Sequence, residues 1–157
     1  MTADASIAQA AYYDYDEATY GVNGNKYGLL YNWTAIDYIN QHLSELGVPD
    51  GWHVPTRAEW TALVSAVGEN PGTKIKSTTG WSSGAGTDDY GFSAVPTGGW
   101  VNGFSNVGST ASFWTSEPHP RPGCSWYRAT DSARSDVIDS WFEQYYVFSV
   151  RLVKNAT

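Results

Sequence analysis

The sequence predicts an α+β fold: two helices packed on a small, mainly antiparallel, twisted sheet with long loops. Three observations lead there. Two stretches with apolar residues at helical spacing, 33–47 and 57–68, come first. Residues 69–108 follow, rich in glycine and without periodicity. Runs of aromatic and β-branched residues then gather after residue 109. Helices first and strands last argue against alternating βαβ units.

The elements justify themselves in chain order. Residues 1–24 are a lead-in, an edge strand or a late-packing arm, with Tyr12, Tyr13, Tyr15 and Tyr20 among acidic residues and a turn at Asn23-Gly24. Tyr27–Tyr31 reads as a first strand. In the first helix Ile36, Ile39, Leu43 and Leu46 form one apolar stripe, with Thr34 as N-cap, Gly47 as stop and His42 at the stripe's boundary. Pro49, Gly51 and Pro55 make the next stretch a connector, in which Trp52 is expected to plug the core. Thr56 and Glu59 form a T-x-x-E capping box for a second helix, whose buried face is Trp60, Leu63, Val64 and Val67 and whose end is Gly68. ENPGT then reads as a turn, KIKS as an extended piece, and Phe92, Ala94 and Pro96 as one face of a short strand. The glycines between aromatics at 97–108 suggest folded loops. SFWTS, CSWYRAT, DVIDSW and YVFSVRLV read as the strands of the C-terminal cluster. Nothing marks a domain boundary, so 1–157 is expected to be one domain.

Composition narrows the chemistry. The 157 residues carry a formal charge of −7, which disfavours a nucleic-acid phosphate backbone as partner. No apolar run reaches the length of a membrane span, so no membrane insertion is expected, and residues 1–11 are too polar and too short for a secretion signal. A single cysteine, Cys124, leaves no internal disulfide and no cysteine-based zinc site. Eight tryptophans and eleven tyrosines in so lightly charged a chain read either as a small core built from large side chains or as partly surface anchors. Trp52, Trp60 and Trp114 are expected inside, Trp126 and Trp141 at the surface as contact anchors.

Catalytic patterns are thin. His42, His53 and His119 fall in a helix, a connector and a loop, without a partner at motif spacing. Asp88, Asp89 and Glu117 are candidate carboxylates for glycoside hydrolysis, although adjacent acids in a glycine loop more often cap turns. Arg151, inside the last strand, is expected to pair with a carboxylate or cap loop carbonyls.

Several strings, taken in order, carry a resemblance: KYGLLYNWTA, GWHVPTRAEWTALVSAVG, GTKIKSTTGW, GTDDYGFSAVPTGG, ASFWTSE, WYR and YVFSVRLVK. From about residue 26 to 154 the chain resembles the Fibrobacter succinogenes major paralogous domain family. That family is related to the formylglycine-generating enzymes and to the variable proteins of diversity-generating retroelements. The resemblance implies a C-type-lectin-like fold. It implies scaffold roles for Tyr127, Arg128 and Arg151, with Arg128 bordering the site.

In retroelement-diversified relatives the variable positions lie between a strand like ASFWTS and FSVR, and adenine-directed mutagenesis rewrites asparagine-type codons there. Residues 109–154 of this chain contain no asparagine, whereas Asn23, Asn25, Asn32, Asn40, Asn70, Asn102 and Asn106 are scattered before it. The resemblance therefore implies a variable region at 109–153 in a non-enzymatic receptor-binding or adhesin-type protein. Its contact residues would be His119, Arg121, Trp126, Asp131, Arg134, Asp136, Ile138, Trp141, Phe142 and Tyr145. The partner would be a surface protein or glycan of another cell, and the location extracellular, on a cell surface or on a virion. No cofactor and no metal is expected. Glu117-Pro118-His119 only superficially matches the calcium loop of sugar-binding lectins, and no Trp-Asn-Asp follows it. The paired cysteines of formylglycine-generating enzymes are missing, since Cys124 stands alone. A catalytic relative of that group or a hydrolase, and a structural cell-surface domain, stay open as alternatives.

Overall fold

Asn32 starts the first helix, two residues before the expected Thr34 cap. In the computed structural model, which describes residues 5–11, 27–100 and 103–156, its side chain accepts the Ala35 N–H at 3.0 Å. The same carboxamide receives the Gln9 N–H and donates to the Ile7 carbonyl. Capping and anchoring of the N-terminal segment thus converge on one buried residue. Helix α1 spans Trp33–Gln41 with His42 as C-cap. It stops a turn short of Gly47, so Leu46 lies in a turn, 53% exposed, outside the expected stripe. The tyrosines at 12, 13, 15 and 20 and the Asn23-Gly24 turn lie outside the described residues.

The remaining elements are strands β1 (Ala10–Ala11), β2 (Leu30–Asn32) and β3 (Trp52–His53), helices α2 (Arg57–Val67) and α3 (Pro71–Ile75), and strands β4 (Gly99–Trp100), β5 (Phe104–Ser105), β6 (Thr110–Pro118), β7 (Cys124–Asp131), β8 (Ile138–Glu143), β9 (Val147–Phe148) and β10 (Val153–Lys154). The architecture is α+β with few helices and antiparallel strand pairs. One sheet runs β1-β2-β9-β4-β5, a second β6-β7-β8, and β3 pairs with β10. Parallel bridges Phe113–Ser149 and Gly98–Ala111 stitch the first sheet to the second.

Three expectations are corrected. KIKS is not extended up to Ile75: Pro71 opens helix α3, where its missing N–H and fixed φ suit the first turn. Lys76 and Ser77 leave it, Lys76 bridging in parallel to Ala94, and that bridge is all the sheet structure the 90–96 stretch forms. YVFSVRLV breaks into β9 and β10 with Ser149 bridging to Phe113, so one apolar run serves two sheets. Trp52 is 38% exposed and pairs with Lys154 at a short two-stranded edge rather than plugging the core. Val54 and Pro55, just after it, are buried instead.

Strand β6 divides the interior. Successive residues of a strand face opposite ways, and here both are buried. Phe113 joins Trp60, Ala94 and Ala111 under α2, with Leu63, Trp81 and Phe92 packed around them. Trp114, 0% exposed, joins Ile36, Val54 and Phe148 on the other side. Its indole N–H donates to the Tyr31 carbonyl at 2.8 Å. Arg151 caps the Phe92 carbonyl, one of its two expected roles, and lies over that ring, with 4.6 Å from the guanidinium carbon to the centroid, but it stands between β9 and β10 rather than inside a strand.

The capping box forms as the spacing requires. Thr56 Oγ1 accepts the Glu59 N–H at 3.2 Å, and Glu59 Oε2 accepts the Thr56 N–H at 2.8 Å. Glu59 Oε1 also lies 2.7 Å from His53 Nε2. Burial acts to raise the Glu59 pKa, but the bonds from Thr56 and His53 outweigh it and hold the group below its ordinary 4.5. A carboxylate with a depressed folded pKa contributes stability above its unfolded pKa and loses it as pH falls through the folded one. Wild type is therefore expected to lose stability below pH 4.5 more steeply than Glu59→Gln. At neutral pH, Glu59→Gln is expected to be the less stable of the two by about 1 kcal/mol, within the range for lost capping bonds. Urea midpoints of the two proteins in acid and at neutral pH check both statements.

Candidate functional site

Strands β7 and β8 set Trp126 opposite Trp141 and Arg128 opposite Asp139. The two-residue period puts all four on the face that looks toward α2. The β6–β7 connection then folds back over the tryptophans. His119 N–H donates to the Cys124 carbonyl at 3.0 Å, and Gly123 supplies the left-handed φ of +73° that closes the turn. Gln144 braces it from the far side, its N–H donating to the Gly123 carbonyl at 2.9 Å.

The result is a row of three rings with an arginine at each end. Arg121 lies over Trp141, 4.7 Å from guanidinium carbon to centroid. The His119 ring stacks on Trp141 at 5.1 Å and meets Trp126 edge-on at 4.4 Å. Arg57, from the first turn of α2, covers Trp126 at 3.7 Å. Its Nε donates to both Asp139 oxygens at 3.0 Å. Arg128, with a side chain only 5% exposed, reaches the same carboxylate at 3.4 Å and donates to the Arg57 carbonyl and Thr61 Oγ1 at 3.0 and 2.6 Å. The bond to Asp139 raises the Arg57 pKa above its ordinary value, whereas burial lowers that of Arg128 against the pull of Asp139. Beside the row opens a groove of about 600 Å³ lined by Arg57, Ala58, Thr61, Glu117 and Asp139. Glu117 accepts the Arg57 N–H at its rim.

The expected contact residues divide into three groups. His119, Arg121, Trp126 and Trp141 come together in this row, both tryptophans half-buried. Ile138 and Phe142 alternate onto the opposite face, where Phe142 packs on Tyr127, Tyr146 and Phe148 at 4.3–5.9 Å between centroids. Tyr145 stacks obliquely on Tyr146 at 5.2 Å, just beyond the end of β8. Asp131, Arg134 and Asp136 occupy the β7–β8 turn, five residues from Trp126 along β7, or about 17 Å at the usual strand rise. Arg57 and Asp139 are additions. In sequence Arg57 is one more residue of a capping box, and nothing local signals that the helix start docks on Trp126.

Other sequence candidates have structural partners. Asp88 Oδ1 accepts the Ser93 N–H at 2.6 Å and its other oxygen accepts the Ser93 hydroxyl, as a turn cap. Among the described residues no group of three or more His, Cys, Asp and Glu side chains is placed to hold a metal ion. Among them, too, no helix is long and apolar enough to cross a membrane.

The Fibrobacter succinogenes major domain model matches residues 2–154. The chain belongs to this family. No curated protein and no solved structure matches it.

This Fibrobacter succinogenes major domain holds its β7–β8 turn through the main chain. Lys76 Nζ donates to the carbonyls of Asp131 and Arg134 at 3.0 Å each. The Gly72 N–H donates to the Ser135 carbonyl at 2.7 Å, and the Ser132 N–H to the Ser109 carbonyl at 2.9 Å. Lys76 is buried, and desolvation lowers its pKa against the favourable pull of Asp131. The turn's charged side chains meanwhile pair with each other, Arg134 with Asp131 at 3.2 Å and with Asp136 at 3.8 Å. The exposed Arg134–Asp136 pair contributes little, whereas the half-buried Asp131 also accepts the Ala133 N–H at 2.8 Å. The triple variant Asp131→Ala/Arg134→Ala/Asp136→Ala is expected to change the unfolding free energy by no more than about 1 kcal/mol, which thermal denaturation checks.

Proposed function

We propose that this family member is a non-enzymatic binding protein of the C-type-lectin type, displaying a hypervariable surface that a retroelement diversifies. The observation that carries the reading is the row Arg121–Trp141–His119–Trp126–Arg57, assembled on one face of the β6–β8 sheet. Tryptophan and arginine are enriched in binding hot spots, tryptophan because it offers large contact area with little entropy to lose and arginine because its planar fork presents several donors at once. Here the turn bonds and the stacking order them before any partner arrives. The main-chain grip on residues 131–136 supports the reading from a second side, since side chains there can change while the turn's anchorage persists. The absence of asparagine from 109–154 accords with both.

On this reading the domain works outside the cell, at a cell surface or on a virion. It binds a surface protein or glycan of another cell, through His119, Arg121, Trp126 and Trp141 with Asp131, Arg134 and Asp136 at a second edge. The test is sequencing of the locus. A second copy of the segment encoding 109–153, differing only at adenines and lying beside a reverse-transcriptase gene, is the expected result. A lone gene without either overturns the diversification.

A further inference from the structure

We propose that the Arg121–His119–Trp141 end of the row receives a carboxylate from an acidic segment of a partner protein. This rests on the binding reading above and names the partner's chemistry.

The indole faces are already in use. Carbohydrate sites built on tryptophan need a bare ring face for the C–H groups of the sugar. Arg57 covers Trp126 at 3.7 Å, and His119 and Arg121 both lie against Trp141. Two of the carboxylates on this face are engaged as well, Asp139 by two arginines and Glu117 by the Arg57 N–H, which leaves Glu143 at the end of β8.

Donors remain. Arg57, Arg128 and Arg134 each face a carboxylate, whereas Arg121 is exposed and has no ion-pair partner among the described residues. A guanidinium stacked on a ring keeps its N–H edge in the ring plane, oriented for a two-pronged bond to a carboxylate. His119 lies against the same indole. Its Nδ1 accepts the Arg121 N–H at 3.0 Å, so the proton of the neutral ring sits on Nε2, where it donates. An edge that only donates selects an acceptor. On a chain of net charge −7 it is a local reversal, which directs an acidic segment to this place rather than elsewhere. The groove of about 600 Å³ opens at the other end of the row, beside Arg57 and Asp139, so a chain that runs from that carboxylate along the row reaches it, which an extended protein segment does and a terminal sugar acid does not.

The test pans a random peptide library against the full chain and, in parallel, probes an array of neutral, sialylated and uronic-acid glycans. Enriched peptides are expected to contain Asp or Glu. Synthesis of one with the acid replaced by its amide is expected to weaken binding about tenfold, the scale of a lost charge-assisted bond. Arg121→Ala should cause the same loss, Arg121→Lys a smaller one, and the amide and Arg121→Ala together no more than either alone. The thermal midpoint of Arg121→Ala should match wild type because the side chain is exposed. Peptides indifferent to Arg121→Ala but abolished by Trp126→Ala overturn this inference and leave the binding surface standing. Capture of sialylated or uronic-acid glycans without acidic peptides overturns the protein source. No ligand in either format, or ligands indifferent to every substitution in the row, overturns both readings.

Discussion

Replacing Trp114 with alanine is expected to lower the unfolding free energy by about 3–5 kcal/mol, the range for removing a large aromatic from a core. The side chain is fully buried between β6 and β9, 4.7 Å from Phe148 and 6.3 Å from Tyr127 between centroids. Its indole N–H also satisfies the Tyr31 carbonyl. The substitution opens a cavity and removes a donor to the Tyr31 carbonyl at once. Because β2 and β9 pair beside it, the loss should appear as a lower urea midpoint with an unchanged slope. A near-neutral result would mean that the interior under β6 is not what holds the two sheets together.

The second large effect is expected from Gly72→Ala. Alanine is normally the better residue inside a helix by about 1 kcal/mol. Here its Cβ would stand 2.1 Å from the Asp136 carbonyl oxygen and 2.7 Å from Thr130 Oγ1. Main chain must therefore move, and overpacking of this kind costs about 1–3 kcal/mol. The loss should be local in origin. Hydrogen exchange at the Ser132 amide, which donates to the Ser109 carbonyl, should speed up more than exchange at Trp114, which donates to Ser149 in the sheet. Set beside the small effect expected of the triple variant of Asp131, Arg134 and Asp136, this contrasts the two halves of the turn: distant residues fix its main chain, while of its charged side chains only Asp131 bonds the turn, at the Ala133 N–H. Unchanged exchange at Ser132 in Gly72→Ala would remove that distinction.

Both effects show where sequence reasoning reaches and where it stops. The capping box at Thr56 and Glu59 was legible because its bonds join residues three apart. The strands at 112–116 and 124–130 were legible because aromatic and β-branched runs fit a pleated surface whatever lies next to them. The KIKS stretch was misread because Lys76 is extended while Ile75 ends a helix. The run itself does not show that Pro71 begins one. Leu46 looked like part of a buried stripe because periodicity records spacing, and the chain leaves the helix before the stripe is complete.

The candidate site divides in the same way. Trp126, Trp141, His119 and Arg121 could be nominated from residue type in an irregular, asparagine-free segment. Their assembly into one row could not, since it depends on the β7–β8 register that sets one tryptophan opposite the other. Phe142, next to Trp141 in sequence, faces the other way by the same alternation and is committed to packing.

By itself the sequence determined the class of fold, the capped second helix, the central strands and the asparagine-free stretch, because each is written in local spacing or residue type. The tertiary structure alone decided which side of β7 and β8 looks outward, that Arg57 comes to lie on Trp126, and that Lys76 and Gly72 hold the hairpin turn by its backbone. Those are contacts between residues far apart in the chain. They follow from strand register and from where a helix docks, and neither quantity is carried by any one stretch of residues.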